Sequence, residues 1–227
     1  MINNNNLFWE KQNKIKSLNN YPWDQIVTFI KNLKVNFKKK KIKLLELGCG
    51  SGGNLLFASK EGIETYGLDI SKSALDNTLS LFKKEKLKVT LFNSSFEKIP
   101  TANLFFNIII DRASLTCVSF DSIMLSLIEV NRTLKKKGLF YFNPYSKKHT
   151  SYNYSKSIKI NNVYQYSHKI SKGSLSKINQ ICFFDLRMIK KISKLMKWEI
   201  ISINHINEHL DEHLSVTFKC TVKCILQ

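Results

Sequence analysis

The sequence predicts an α/β fold, a mostly parallel, doubly wound sheet whose last strand is antiparallel. Three observations lead to it. Short apolar segments alternate with amphipathic helical ones from Lys43 to Asn143. A glycine-rich turn, Gly48-Cys49-Gly50-Ser51-Gly52-Gly53, follows the first such segment. The chain closes on two strand-like segments, 197–204 and 215–226, joined by a short His/Glu-rich link. A link of that length requires an antiparallel pair.

Residues 1–6 read as a frayed tail. Leu7–Leu18 follows as a short amphipathic helix. A second helix opens at Tyr21-Pro22-Trp23-Asp24, with Pro22 suited to the first turn and Ile26, Val27, Ile30 and Leu33 as its apolar stripe. Lys38–Lys41 is a linker. Strands are expected over 43–47, 63–70, 88–92, 105–111 and 138–143. Helices are expected over Gly53–Lys60, from a Ser71 cap to Lys84, and from an Asp121 cap to Leu134. Strands separated by helices give right-handed crossovers and a sheet covered on both faces. Residues 144–184 break this rhythm; they are polar, rich in Tyr, Ser, Asn and Lys, with a strand expected near Val163–Tyr166. An insertion of that length is a lid or a partner surface. The helix Leu186–Met196 precedes the closing pair.

These boundaries divide the 227 residues into a helical cap, 1–41, and a main domain, 42–227, carrying 144–184 as the insertion. A 43% hydrophobic, 23% charged composition fits a globular domain with a sizeable core. No apolar run reaches the ~20 residues of a membrane span. Met1-Ile2 and four asparagines lack the features of a signal peptide. Five scattered cysteines without a C-x-x-C argue for a reducing cytoplasm and against a metal or disulfide framework. His205, His209 and His213 would share a face on a helix, but their stretch reads as a hairpin loop, and no metal is expected.

The formal net charge is +19, yet Arg112, Arg132 and Arg187 are the three arginines among 36 basic residues. Readers of nucleic acid lean on arginine forks, so this lysine excess is read as solvated helix faces. It favours an anionic small substrate over specific nucleic acid or a membrane.

Gly48, Gly50 and Gly53 satisfy G-x-G-x-x-G, and Asp69 ends the second strand 17 residues after Gly52. Glycine permits a sharp turn and close ligand approach, while a carboxylate at Asp69 can accept both hydroxyls of an adenosine ribose. NAD and S-adenosylmethionine both fit. Glu46 two residues before the first glycine, helices ahead of the first strand and the reversed closing pair favour the second. Here the sequence resembles class I S-adenosylmethionine-dependent methyltransferases, with a Rossmann-like seven-stranded sheet, over about residues 42–227. Trp9-Glu10, Tyr21-Pro22-Trp23-Asp24, Ile109-Ile110-Asp111-Arg112-Ala113 and Phe142-Asn143-Pro144-Tyr145-Ser146, in that order, resemble small bacterial methyltransferases of surface-polysaccharide biosynthesis.

The resemblance implies that Gly48, Cys49 and Gly50 pack on the cofactor, that Glu46 orients its methionine part, and that Asn54 contributes beside them. It places Asp69 on the ribose, Ile70 on the adenine, the Phe96 N–H on adenine N1, and Ser95 where a carboxylate is usual. Asp111 and Arg112 would lie beside the sulfonium, with Trp9, Tyr21 and Trp23 closing over the methionine end. Tyr21, Arg112, Tyr145 and His149 are the candidates for catalysis; Tyr145, Lys147, Lys148 and Tyr152 are those for the acceptor. The expected reaction moves a methyl group to N or O of a small phosphorylated precursor, an amino alcohol phosphate or sugar derivative, in a monomer or homodimer. An RNA or tRNA methyltransferase and a non-catalytic cofactor-binding regulator are the alternatives.

Overall fold

The structure is a computed structural model and describes residues 4–15, 19–37, 39–160, 163–178, 180–208 and 211–220. In chain order the elements begin with helices α1 (Asn4–Ile15) and α2 (Asp24–Asn32). The alternating region runs β1 (Lys43–Leu47), α3 (Gly53–Lys60), β2 (Glu64–Asp69), α4 (Lys72–Lys84), β3 (Thr90–Asn93), β4 (Phe106–Arg112), α5 (Phe120–Thr133) and β5 (Leu134–Asn143). The insertion holds β6 (Ser155–Ile160), β7 (Val163–Ile170) and β8 (Ile181–Cys182), and the chain continues with α6 (Leu186–Met196), β9 (Trp198–Glu208) and β10 (Asp211–Cys220).

The seven-stranded sheet has the order β3-β2-β1-β4-β5-β10-β9. β10 enters between β5 and β9, antiparallel to both, while β1 to β5 are mutually parallel. Crossing from β3 on one edge back through β1 to β4 reverses the direction of winding between β1 and β4. Loops after those two strands therefore splay apart and leave a crevice at their carboxyl ends.

Two apolar layers sandwich this sheet. Leu45, Leu47, Ile109 and Phe140 pack under α5 and α6, whose stripe Met188, Ile189, Ile192 and Met196 follows the helical period. Leu44, Ile108, Ile110 and Tyr141 pack on the other face against Ile26, Phe29 and Ile30 of α2 and Leu55 of α3. β1 is buried on both faces, which is why Lys43–Leu47 shows no polar alternation beyond Glu46.

Local capping explains several boundaries. The Ser71 side chain accepts from the Ala74 N–H and opens α4 as expected. α5 starts earlier than expected: Ser119, not Asp121, caps it by accepting from the Ser122 N–H. α2 starts at Asp24, after Pro22. Residues 4–6, expected as tail, are helical, and β5 begins at Leu134 rather than Gly138.

The insertion forms an antiparallel sheet of β6, β7 and β8. Bridges Tyr145–His213 and Ser146–Phe184 stitch it to β10 and to the segment before α6. The expected hairpin loop is replaced by strand: His213 pairs with Ile206, and Leu214 with His205. His209 lies outside the described residues. Among the described residues, no helix is long and apolar enough to cross a membrane, and no group of three His, Cys, Asp or Glu side chains could hold a metal.

Candidate functional site

The glycine turn is clamped from three sides. The Gly48 and Cys49 N–H groups donate to the Leu68 carbonyl at 2.7 and 3.2 Å, tying the turn to β2. Thr78 Oγ1 of α4 donates to the Gly50 carbonyl at 2.8 Å. The Gly50 N–H donates to Asp69 Oδ2 at 3.0 Å, and the Ser71 N–H to Asp69 Oδ1 at 2.9 Å. A carboxylate has about four lone-pair sites, so Asp69 keeps two for a diol. Gly50 has a φ of +53°, and a Cβ built there meets no atom within 4 Å. The turn thus presents bare backbone to open space beside an acceptor pair, which fits an adenosine ribose.

Beneath this floor lies buried acid. Asn54 Nδ2 donates to Glu46 Oε1 at 2.6 Å, while Asn54 Oδ1 accepts the Trp23 N–H at 2.9 Å. Asn54 therefore joins β1, α3 and the cap segment, and acts as a positioning residue. Glu46 Oε2 is buried without a hydrogen-bond partner, and burial raises the Glu46 pKa to about 8. Asp111 is fully buried; its Oδ1 accepts the N–H groups of Ser114 and Leu115 at 3.2 and 2.8 Å. Burial raises the Asp111 pKa to about 7. Burial also raises the Cys49 thiol well above its usual range, which removes it as a nucleophile.

A raised carboxyl pKa has a defined sign for stability. Folded Glu46 holds its proton up to about pH 8, whereas the unfolded chain releases it near pH 4.5. Its contribution is full below the lower value and lost as pH rises through the upper one. Asp111 adds a second fall that ends near pH 7. Glu46→Gln is expected to flatten the decline in melting temperature between about pH 5 and about pH 8. Thermal unfolding across that range checks this, and an unchanged slope would exclude Glu46 as its source.

A cleft of about 490 Å³ opens above the turn. Of the residues expected from sequence, Trp9, Trp23, Gly48, Gly50, Asp69, Ile70, Phe96, Arg112 and Tyr145 line it. The Arg112 guanidinium carbon lies 3.9 Å from the centre of the Trp23 ring, and Arg112 donates to the Tyr145 hydroxyl. Burial raises the Tyr145 pKa, so its phenol keeps its proton and serves as a hydrogen-bond donor. Trp9, Tyr145 and Ile178 pack against Cys117 and Leu175, so α1 and the insertion meet over the cleft.

Other residues expected at the site lie elsewhere. Tyr21 is 80% exposed and covers nothing; its backbone carbonyl is what abuts Gly53, where a Cβ would lie 2.6 Å from it. Ser95 is exposed and accepts the Glu97 N–H at 3.3 Å, outside the cleft wall. Lys147 is held by Asp185 Oδ2 at 2.7 Å, the residue that caps α6. Lys148 is exposed, and Tyr152 packs edge-on to Phe183, 5.2 Å between centroids. His149 is buried behind Tyr145, with Nδ1 accepting the Ser151 N–H at 3.1 Å. It caps a turn of the insertion and does not line the cleft.

Glu10 has a positioning role that the sequence pattern does not assign. Its carboxylate accepts from the Ser71 hydroxyl at 2.8 Å and from the Ser73 hydroxyl and N–H at 2.6 and 3.2 Å, latching α1 onto the start of α4. These bonds, the Ser73 hydroxyl first, hold its pKa down to about 2. A Trp-Glu pair on a short helix gave no sign of a partner some sixty residues away. Lys177, Leu175 and Ile178 of the insertion also line the cleft. No motif marks them.

A reversed strand beside β5, a glycine turn after β1 and an acidic residue ending β2 define a nucleotide-binding crevice of the methyl-transferring type. The chain belongs to the methyltransferase domain family, whose model matches residues 38–198. It is 28% identical over 152 residues to the ubiquinone biosynthesis O-methyltransferase of Pelagibacter ubique (strain HTCC1062), covering 64% of this chain and 62% of that one. The chain thus spans about three fifths of that relative's length. An S-adenosylmethionine-dependent methyltransferase from Clostridium acetobutylicum superposes with a TM-score of 0.67 at 15% identity, over 95% of this chain and 97% of the other. The 1,6-didemethyltoxoflavin-N1-methyltransferase of Burkholderia thailandensis, solved with S-adenosylhomocysteine, gives 0.68 at 10% identity, covering 87% and 77%. The fold is that of a Rossmann-like methyltransferase, and S-adenosylmethionine is the cofactor.

Proposed function

We propose that this methyltransferase acts on an N or O atom of a small, anionic acceptor bound between the glycine turn and the insertion. The observation that carries this reading is the cleft itself. One end offers bare glycine backbone and Asp69; the other offers Arg112 and the Tyr145 hydroxyl under a roof of Trp9, Leu175 and Ile178. A roofed cleft of about 490 Å³ suits small molecules better than a polynucleotide. Precursors of surface polysaccharides fall within this acceptor class.

The cofactor supplies an activated methyl carbon on a sulfonium. The protein's share is alignment and exclusion of water, for which effective concentration alone contributes ~7–11 kcal/mol. Asp69 and the turn would hold the ribose. Glu46, braced by Asn54, would orient the methionine part. Tyr145 donates to the acceptor and Arg112 balances its charge. The insertion, 144–184, acts as lid and the cap, 1–41, closes the other side.

The test is a screen of phosphorylated amines, sugars and aromatic acids for S-adenosylhomocysteine formation, followed by variants. Tyr145→Phe is expected to lower turnover roughly tenfold, the loss of one hydrogen bond of about 1–1.5 kcal/mol in the transition state. Cofactor affinity should stay within a factor of about two. His149→Ala should lower stability rather than chemistry, because its ring packs with Tyr145 and Phe183. Wild-type turnover in Tyr145→Phe would remove the phenol from the mechanism. Tight cofactor binding without turnover of any acceptor would favour a regulator, and RNA retained at physiological salt would favour an RNA methyltransferase.

A further inference from the structure

The acceptor's chemistry can be narrowed further, an inference that rests on the small-acceptor reading above. Arg112 is fixed before any acceptor arrives. One face lies on Trp23, at 3.9 Å from the ring centre, and one edge donates to the Tyr145 hydroxyl. Trp23 is itself pinned through its backbone N–H to Asn54 Oδ1 at 2.9 Å. A guanidinium held this way loses little rotamer freedom on binding, and its planar fork matches an oxyanion. Of the neighbouring Asp111, Oδ1 is taken by the Ser114 and Leu115 N–H groups, and the buried carboxyl interacts electrostatically with Arg112.

A second cation reaches the same cleft from the insertion, Lys177, which is exposed and contributes to the wall. Lys147 does not compete for the acceptor, being paired with Asp185. The surface around Tyr145 is apolar and partly aromatic: Trp9, Leu175 and Ile178. A hydroxyl-rich sugar set against Leu175 and Ile178 would lose water contacts without replacement, whereas a ring would stack and bury apolar area.

We propose that Arg112 and Lys177 form an oxyanion clamp that selects a flat, aromatic methyl acceptor bearing a carboxylate or a phosphate. Lys147 and Lys148, the cations the sequence favoured, stand outside it.

The experiment titrates S-adenosylhomocysteine-saturated protein with phenyl phosphate, benzoate, benzyl alcohol and ribose 5-phosphate by calorimetry. Saturation is verified first; its failure in the wild-type protein would strike the methyltransferase reading, not the clamp. At least one aromatic oxyanion is expected to bind, and the tighter of the two identifies the anion. Benzyl alcohol and ribose 5-phosphate should bind at least about tenfold more weakly, having lost the anion or the ring. Arg112→Gln should weaken the preferred probe roughly tenfold to a hundredfold, Arg112→Lys less, and Lys177→Gln about threefold to tenfold. Lys136→Gln, at the far end of β5, should change nothing. The clamp is overturned if benzyl alcohol or ribose 5-phosphate binds as tightly as the best aromatic oxyanion. It is equally overturned if Arg112→Gln and Arg112→Lys, both still binding S-adenosylhomocysteine, keep wild-type probe affinity. Failure of both aromatic oxyanions to bind below about 10 mM also overturns it.

Discussion

Asp69→Ala is expected to weaken S-adenosylhomocysteine binding by about a hundredfold or more. The carboxylate is buried, held by the Gly50 and Ser71 N–H groups, and retains acceptor capacity on the cleft side. Two hydrogen bonds to a charged group contribute ~1.5–3 kcal/mol each, and ~3 kcal/mol already corresponds to about two orders of magnitude in affinity. The substitution also releases the Gly50 N–H, so part of the loss comes through a loosened turn. Asp69→Asn separates the two effects. It keeps one acceptor oxygen for the turn but removes the charge, and its loss should be smaller than that of alanine. Calorimetry with S-adenosylhomocysteine and with NAD checks both points, with no NAD binding expected in any variant. An Asp69→Ala affinity within threefold of wild type would refute the assignment of Asp69 to the ribose.

Gly48→Ala is expected to damage the fold rather than the binding surface. A Cβ at Gly48 would lie 2.3 Å from Ser114 Oγ and 2.5 Å from Ser114 Cβ. Ser114 cannot retreat easily, because its N–H is held by Asp111 and its hydroxyl donates to the Gly48 carbonyl at 3.3 Å. Gly48 also has a φ of +65°. Overpacking costs ~1–3 kcal/mol and the left-handed backbone ~1–2 kcal/mol, so a chain of this size should lose about 5–15 °C in Tm. Gly50→Ala is the matched comparison. Its Cβ meets nothing within 4 Å, so stability should fall only by the ~1–2 kcal/mol that its own left-handed φ of +53° costs, while ligand affinity drops because the methyl group enters the open space above the turn. Equal Tm losses at the two positions would show that the turn is less constrained than the packing around Gly48 implies.

These two predictions rest on residues that local sequence rules identify. A glycine with a left-handed φ after a buried strand, an acid closing the next strand and the Ser71 cap are set within a few residues of one another. Backbone sterics and capping act at that range. The stripe on α6 and the buried β1 are legible for the same reason, their period being written into consecutive side chains. Elsewhere pairing across the chain decided the outcome. His205 and His213 read as loop because they are polar, yet they lie in strands, since the β9–β10 ladder continues past the apolar residues. Tyr21 and Trp23 are equally aromatic and two residues apart; Asn54 holds the Trp23 backbone and Arg112 its ring, while the Tyr21 side chain is left exposed.

The sequence by itself determined the family of fold, the cofactor and the glycine turn after β1, because each depends on short-range constraints that leave a spacing behind. Tertiary structure alone decided which cations line the cleft. Thirty-three lysines look alike in sequence, and a charge is available or spent according to what lies beside it in space. Lys147 is spent on Asp185, 38 residues away along the chain, and Lys177 is carried to the cleft by a loop that no pattern marks. Coulombic and hydrogen-bonded pairing acts through distance in the folded molecule, and the one-dimensional order of residues does not record that distance.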